Sequence, residues 1–224
     1  MNFLSHYYFD KLTQDANVVM GTVLPDLIKN ASKEANLYPQ KNEFLFKGNT
    51  DEENLLKGWK RHLAVDLHFH SSHFFFEKTA ILKELIKPIV VDTAIRPSFL
   101  AHIGLELLLD HLLVEHNLIQ VNHFYNKLIA VDRNSLADFL EHCGLKNQAV
   151  FTKFLESFIS SKYLLSYQKL ENISYALNRI CMRLWPETLN EFQLQELTFQ
   201  LGIFKSILSK DFMKIFEEIE VKLT

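Results

Sequence analysis

The segment that most constrains this chain is AHIGLELLLDHLL, residues 101–113. Leu105, Leu107, Leu108, Leu109, Leu112 and Leu113 surround two acids, Glu106 and Asp110, so the segment is apolar nearly all the way round. A helix that is hydrophobic on every side belongs at the centre of a bundle. At about 100° per residue, His102, Glu106 and Asp110 return to nearly one azimuth. Ionised carboxylates on a buried face are costly unless they share a proton, meet cations or hold a metal. The sequence therefore predicts a central helix with one polar stripe.

A second stretch, GWKRHLAVDLHFHSSHFF at 58–75, repeats the pattern. On an unbroken helix His62, Asp66, His70 and His73 stand at about 0°, 40°, 80° and 20°. Imidazole and carboxylate four residues apart bind one metal ion or pair with each other. A break at Ser71 would remove His73 from that face. Each stripe keeps a bland alternative: Asp66 bonded to His62 or Arg61 on a solvated face, and a polar network at 102–110 used only for packing. Two such faces meeting in one core would make a polar pocket. Asp26, the acid in GTVLPDLI, and His6, in MNFLSHYYF, are further candidates, each open between a site role and a satisfied core residue.

The rest of the chain reads as helical. Segments are expected at 1–14, at 17–29 with an interruption at Gly21 and Pro25, and from Glu52 to His70, either continuing to Ile86 or breaking at Ser71-Ser72. Residues 31–51 form the longest loop. Pro97 suits the first turn of a helix running to Glu115. Helices follow at 119–131, at 134–142 with Gly144 as cap, at 147–160, at 163–184 stopped near Pro186, and at 190–222. With 224 residues, 48% hydrophobic content and 19 Phe, the core is sizeable. The simplest architecture is a single all-α domain, a helical bundle over 1–224.

Net charge of -3 leaves no electrostatic case for nucleic acid. Cys143 and Cys181 form no CxxC and read as thiols of a reducing compartment. The N-terminus lacks the pattern of a secretory signal. No apolar run approaches the roughly 18 residues of a membrane span, so no membrane partner and a cytoplasmic location are expected. His68, His116, His123 and His142 read as helix-end or outward residues, and Phe74–Phe76 as core. There is no phosphate loop, GxSxG elbow or catalytic Cys/His pairing. If the chain is an enzyme, its nucleophile is a metal-activated water.

Four motifs then occur in order: MNFLSH, Gly21-x-x-Leu24-x-Asp26, His62-x-x-x-Asp66, and Glu106 four residues before Asp110-His111. This order resembles the acyl-carrier-protein phosphodiesterase family (ACP hydrolase), an atypical all-helical relative of the HD-type phosphohydrolases. The likeness is strongest over 1–30 and 58–117. It implies an HD-phosphohydrolase-like bundle that releases 4′-phosphopantetheine from a serine of acyl carrier protein, with a divalent metal. Manganese is implied first, with zinc, iron and magnesium as alternatives. Carried over by position, Asp26, His62, Asp66 and Asp110 form the metal shell. Glu106 or His6 handles the attacking water, and His111 or His70 contacts phosphate. Lys57, Lys60 and Arg61 are candidates for docking an acidic carrier. The family has an acid where this chain has His70, which changes the site charge by one unit. Two rivals stand beside this reading: a metal phosphohydrolase of nucleotides or other phosphoesters, and a non-enzymatic helical protein with Asp66 and Asp110 paired to Arg or Lys.

Overall fold

The structure is a computed structural model that describes residues 1–185 and 189–223. It is all-α, with no strand among the described residues. The helices are α1 (Phe3–Tyr8), α2 (Ala16–Ala31), α3 (Thr50–His70), α4 (His73–Ile86), α5 (Pro97–Glu115) and α6 (Val121–Ala130). They continue as α7 (Arg133–His142), α8 (Gln148–Ser161), α9 (Leu170–Cys181), α10 (Glu191–Leu208) and α11 (Met213–Leu223). Buried side chains from Met1 to Ile219 form one hydrophobic cluster.

α5 lies at the centre, as its leucines require. Residues Leu100 to Leu113 are almost continuously buried, and Pro97 occupies its first turn. At 19 residues and mean hydropathy 1.3, α5 is long and apolar enough to cross a bilayer, which the sequence reading had denied of any segment; 67% of that window is buried inside the protein. Its own acids and histidines are the polar part of this buried surface.

α2 and α3 form the closest helix pair, and two glycines explain it. A Cβ on Gly21 would stand 2.2 Å from the Leu55 carbonyl oxygen, and one on Gly58 would stand 2.1 Å from that of Val18. Only hydrogen at both positions lets the backbones meet. Gly21 and Pro25 therefore do not interrupt α2, which runs through both. Packing against α3 outweighs the lost hydrogen bond at Pro25. The contact also brings the Thr22 carbonyl to His62.

Several boundaries differ from the sequence expectation for identifiable reasons. The first helix is only Phe3–Tyr8 and dissolves into turns at Phe9–Thr13. Ser72 caps α4 by accepting from the Phe75 amide, so α3 and α4 are separate helices. His73 then lies on the surface, 91% exposed, outside the stripe. Residues 163–168 are a 3-10 turn rather than the start of a long helix. Tertiary contacts capture that backbone: the Leu164 amide donates to the Tyr125 hydroxyl, and His111 Nδ1 donates to the Tyr167 carbonyl. The helix ends at Cys181, and Pro186 lies outside the described residues. The C-terminal segment is two helices, the first opened by a capping box of Asn190 and Gln193. Of the phenylalanine run only Phe74 is buried, while Phe76 is exposed. Gly144 takes a positive φ of 80° after α7, where the left-handed cap was expected.

Candidate metal centre

Three helices, α1, α3 and α5, and the amino group of Met1 bring the site together. The stripe of α3 contributes His62, Asp66 and His70, and that of α5 contributes His102 and Glu106. α1 adds His6, and the Met1 amino group lies among them. Met1 N donates to Asp66 Oδ1 at 2.6 Å and stands 3.3 Å from Glu106 Oε1. One buried ammonium thus joins the acid of one stripe to the acid of the other. Burial works against its charge, but Glu106 and Asp66 prevail and raise its pKa to about 10.

The first ligand cluster is His6, His62 and Asp66. His6 Nε2 lies 3.3 Å from Asp66 Oδ1, and His62 Nε2 lies 3.5 Å from Oδ2. The His6 and His62 rings stack with centroids 3.9 Å apart. His62 Nδ1 is 2.9 Å from the Thr22 carbonyl oxygen. A carbonyl only accepts, so Nδ1 carries a proton and Nε2 is the ring atom turned toward the acids. Burial, then the neighbouring His62, lowers the His6 pKa to about 3, so that ring is neutral. Both His6 ring nitrogens are buried without a hydrogen-bonded partner. Burial works against the Asp66 charge, yet His6, the Met1 ammonium and His62 hold its carboxyl well below the usual range. Two imidazole nitrogens turned toward an ionised carboxylate fit a divalent cation. The orphaned His6 nitrogens and the ammonium at Asp66 are the observations that support the fit.

The second cluster is His70, His102 and Glu106. His102 was visible on the α5 stripe in the sequence but was given no role there. Glu106 is nearly buried. Burial opposes its ionisation, and the Met1 ammonium followed by His102 and His70 keeps it charged, well below the usual carboxylate range.

Asp26, on α2, lies 4.0 Å from His62 Nε2, at the edge of the first cluster. Burial raises its pKa to about 6. Asp110 sits elsewhere. It accepts from the Asn2 side chain at 2.9 Å, the Leu4 amide at 3.1 Å, and the Ser5 amide and hydroxyl at 2.7 and 2.6 Å. These are the open donors at the start of α1, whose own cap residue, Asn2, makes no capping bond. Burial raises the Asp110 pKa to about 7, against the pull of the Ser5 and Leu4 donors. Its carboxylate is thus engaged by α1, outside both ligand clusters. His111 likewise faces away, bonded at 2.6 Å to the Tyr167 carbonyl. Neither Asp66 nor Asp110 is paired with an Arg or Lys side chain among the described contacts.

A cavity of about 550 Å³ opens from Met1, Asp26 and Glu106. Its lining also includes Lys29, Lys33, Arg179 and Arg183, with Tyr163, Tyr167 and Tyr175. Burial pushes the Tyr167 phenol well above the usual range, so it is a hydrogen-bond donor. These cations escaped the sequence reading because they come from α2, α9 and the residues just after each, far apart in the chain. The cations nearer the motif are spoken for or lie outside the cavity lining: Lys60 pairs with Glu43 at 2.8 Å, and Arg61 lies 3.4 Å from Asp10. Lys57 is exposed on α3.

A family model described as acyl carrier protein phosphodiesterase matches residues 1–219. The chain belongs to that family. The match runs through the C-terminal half, which the short motifs do not reach. No curated protein and no solved structure matches the chain.

Proposed function

We propose that this protein is a metal-dependent phosphodiesterase that removes 4′-phosphopantetheine from the serine of acyl carrier protein, acting in the cytoplasm as one HD-like helical domain. Family membership supports the reaction. The observation that carries it to these residues is that the Met1 ammonium, which touches an acid of each His/acid cluster, lines together with Asp26 and Glu106 a cavity that also carries four cationic side chains.

His6, His62 and Asp66 would hold the ion. A divalent metal there supplies Lewis acidity and acidifies a bound water. Asp26 borders both cavity and cluster, where its carboxylate can take a proton from a bound water. We assign it the proton of the attacking water, in place of the deeply buried His6 or the ionised Glu106. As the phosphorus–oxygen bond to serine breaks, Asp26 returns that proton to the departing oxygen. Tyr163 and Tyr167 donate to phosphate or pantetheine oxygens. Lys29, Lys33, Arg179 and Arg183 attract the anionic substrate. The Asp110 carboxylate positions α1, and through it His6 and Met1.

The same cations favour a second reading, hydrolysis of a smaller phosphoester such as a nucleotide. Purified protein should be offered holo-acyl carrier protein and small phosphodiesters in parallel. Loss of the prosthetic group from the carrier, seen by intact mass, supports the first reading. Turnover of the small esters alone supports the second.

A further inference from the structure

We infer that His70, His102 and Glu106 form a second cation site, distinct from the His6–His62–Asp66 cluster and selective for borderline transition ions such as zinc or iron(II). The inference rests on the metal-centre reading above but concerns different residues.

The argument begins with the three donor atoms. His70 Nε2 and His102 Nε2 are 3.1 Å apart. Each faces Glu106 Oε1, at 3.2 and 3.0 Å. The three edges are nearly equal. Donors at adjacent vertices around one ion, each about 2.0–2.2 Å from it, stand roughly 3–3.5 Å apart. The triangle therefore already has the dimensions of one face of a coordination shell.

The protons agree with this. His70 Nδ1 lies 2.9 Å from the Asp66 carbonyl oxygen. That carbonyl can only accept, so Nδ1 carries a proton and Nε2 is the ring atom turned toward the other two donors, the one an ion would bind. This is the arrangement in which a backbone carbonyl orients a ligating imidazole. Two imidazoles and one carboxylate on a shared face suit zinc or iron(II), whereas magnesium and calcium prefer oxygen donors. Both rings are about one-third exposed, so an ion and its remaining water ligands have access.

His70 and His102 make the cluster nitrogen-rich. The charged neighbours are the Met1 ammonium, 3.3 Å from Glu106 Oε1, and Asp66, whose Oδ1 lies 4.0 Å from His70 Nδ1. The anion at Asp66 favours a cation in the triangle, and the ammonium competes with it for Glu106.

The test is metal stoichiometry and cobalt(II) spectroscopy on full-length, chelator-stripped protein. Cobalt(II) reports coordination directly, with no substrate present. Wild-type protein should bind two equivalents. His102→Ala and His70→Ala should each bind one and lose one set of ligand-field bands, and His62→Ala should lose the other set. Circular dichroism and Tm confirm that the variants fold; His102→Gln, closer in size, serves if His102→Ala does not. One equivalent in wild type, lost in His62→Ala but kept in His102→Ala, overturns the second site and leaves the first. One equivalent lost in His102→Ala but kept in His62→Ala overturns the first reading and leaves the second. One equivalent lost in both means a single shared ion and overturns the inference, as does no binding at all.

Discussion

The Asp110 carboxylate, on the central helix, accepts both the backbone amide and the hydroxyl of Ser5, at 2.7 and 2.6 Å, across a separation of 105 residues. It does for α1 what an N-cap side chain normally does for its own helix, and adds a negative charge at the helix's positive end. Removing it strands several buried donors. Asp110→Ala should destabilise the protein by about 2–4 kcal/mol, read as a fall in Tm or in the denaturant midpoint. Because α1 carries His6, the first cation cluster should weaken as a consequence. Metal lost with no change in stability would instead make Asp110 a ligand.

That relationship also shows what the sequence conveys and what it withholds. The i, i+4 spacing fixed which residues of α3 and α5 share a face, so His62, Asp66 and Glu106 were legible as a group. The same spacing placed Asp110 with them. One further turn along α5 brings the carboxylate beneath α1 instead, a matter of where another helix ends. On α3 the break at Ser71-Ser72, one of the two courses the sequence left open, turns His73 to the surface. The Met1 amino group carries no side-chain signature, and the cavity cations come from helices distant in sequence. The helix at 163–184 failed because His111 and Tyr125 hold the backbone of its first turns. Periodicity reads faces of elements, whereas tertiary capture of backbone groups is invisible to it.

The Gly21–Gly58 contact should tolerate no side chain. Gly21→Ala or Gly58→Ala places a methyl about 2 Å from a backbone carbonyl, and neither helix can yield without separating. Such overpacking costs on the order of 1–3 kcal/mol or more. The same separation would pull Thr22 from His62 and loosen the ring's orientation. Thermal melts should show both variants destabilised, with weaker metal binding. An unchanged Tm would contradict the packing described.

Away from the site, His142 Nδ1 lies 2.7 Å from Glu52 Oε2, joining α7 to α3. The bond to Glu52 raises the His142 pKa in the folded protein. A raised folded pKa contributes stability that is complete below the unfolded value and fades as pH rises through the folded one. His142 is exposed to solvent although Glu52 is buried, so screening limits the worth of the pair to ~1 kcal/mol. His142→Gln should be destabilising at pH 5.5, with the difference vanishing by about pH 8.5. Equal effects at both pH values would show that the charge is not involved.

Arg179 lines the cavity and makes no ion pair among the described residues. If it attracts an anionic substrate, Arg179→Ala should raise KM by roughly tenfold, the value of about 1.4 kcal/mol of binding, with a smaller effect on kcat. The wild-type KM should rise with salt, and the variant's should rise less. A fall in kcat at unchanged KM would place Arg179 at the reacting phosphate instead.

The most direct test of the central claim is the intact mass of holo-acyl carrier protein after incubation with this protein, with and without chelator, beside the Asp66→Asn variant. Asp66→Asn preserves shape while removing the anion shared by His6, His62 and Met1. The account predicts conversion to apo-carrier by the wild type, abolished by chelator, restored by added metal, and at least ~100-fold slower in the variant. Conversion that persists through chelation, or a fully active Asp66→Asn variant, would contradict a metal-dependent reaction at this site.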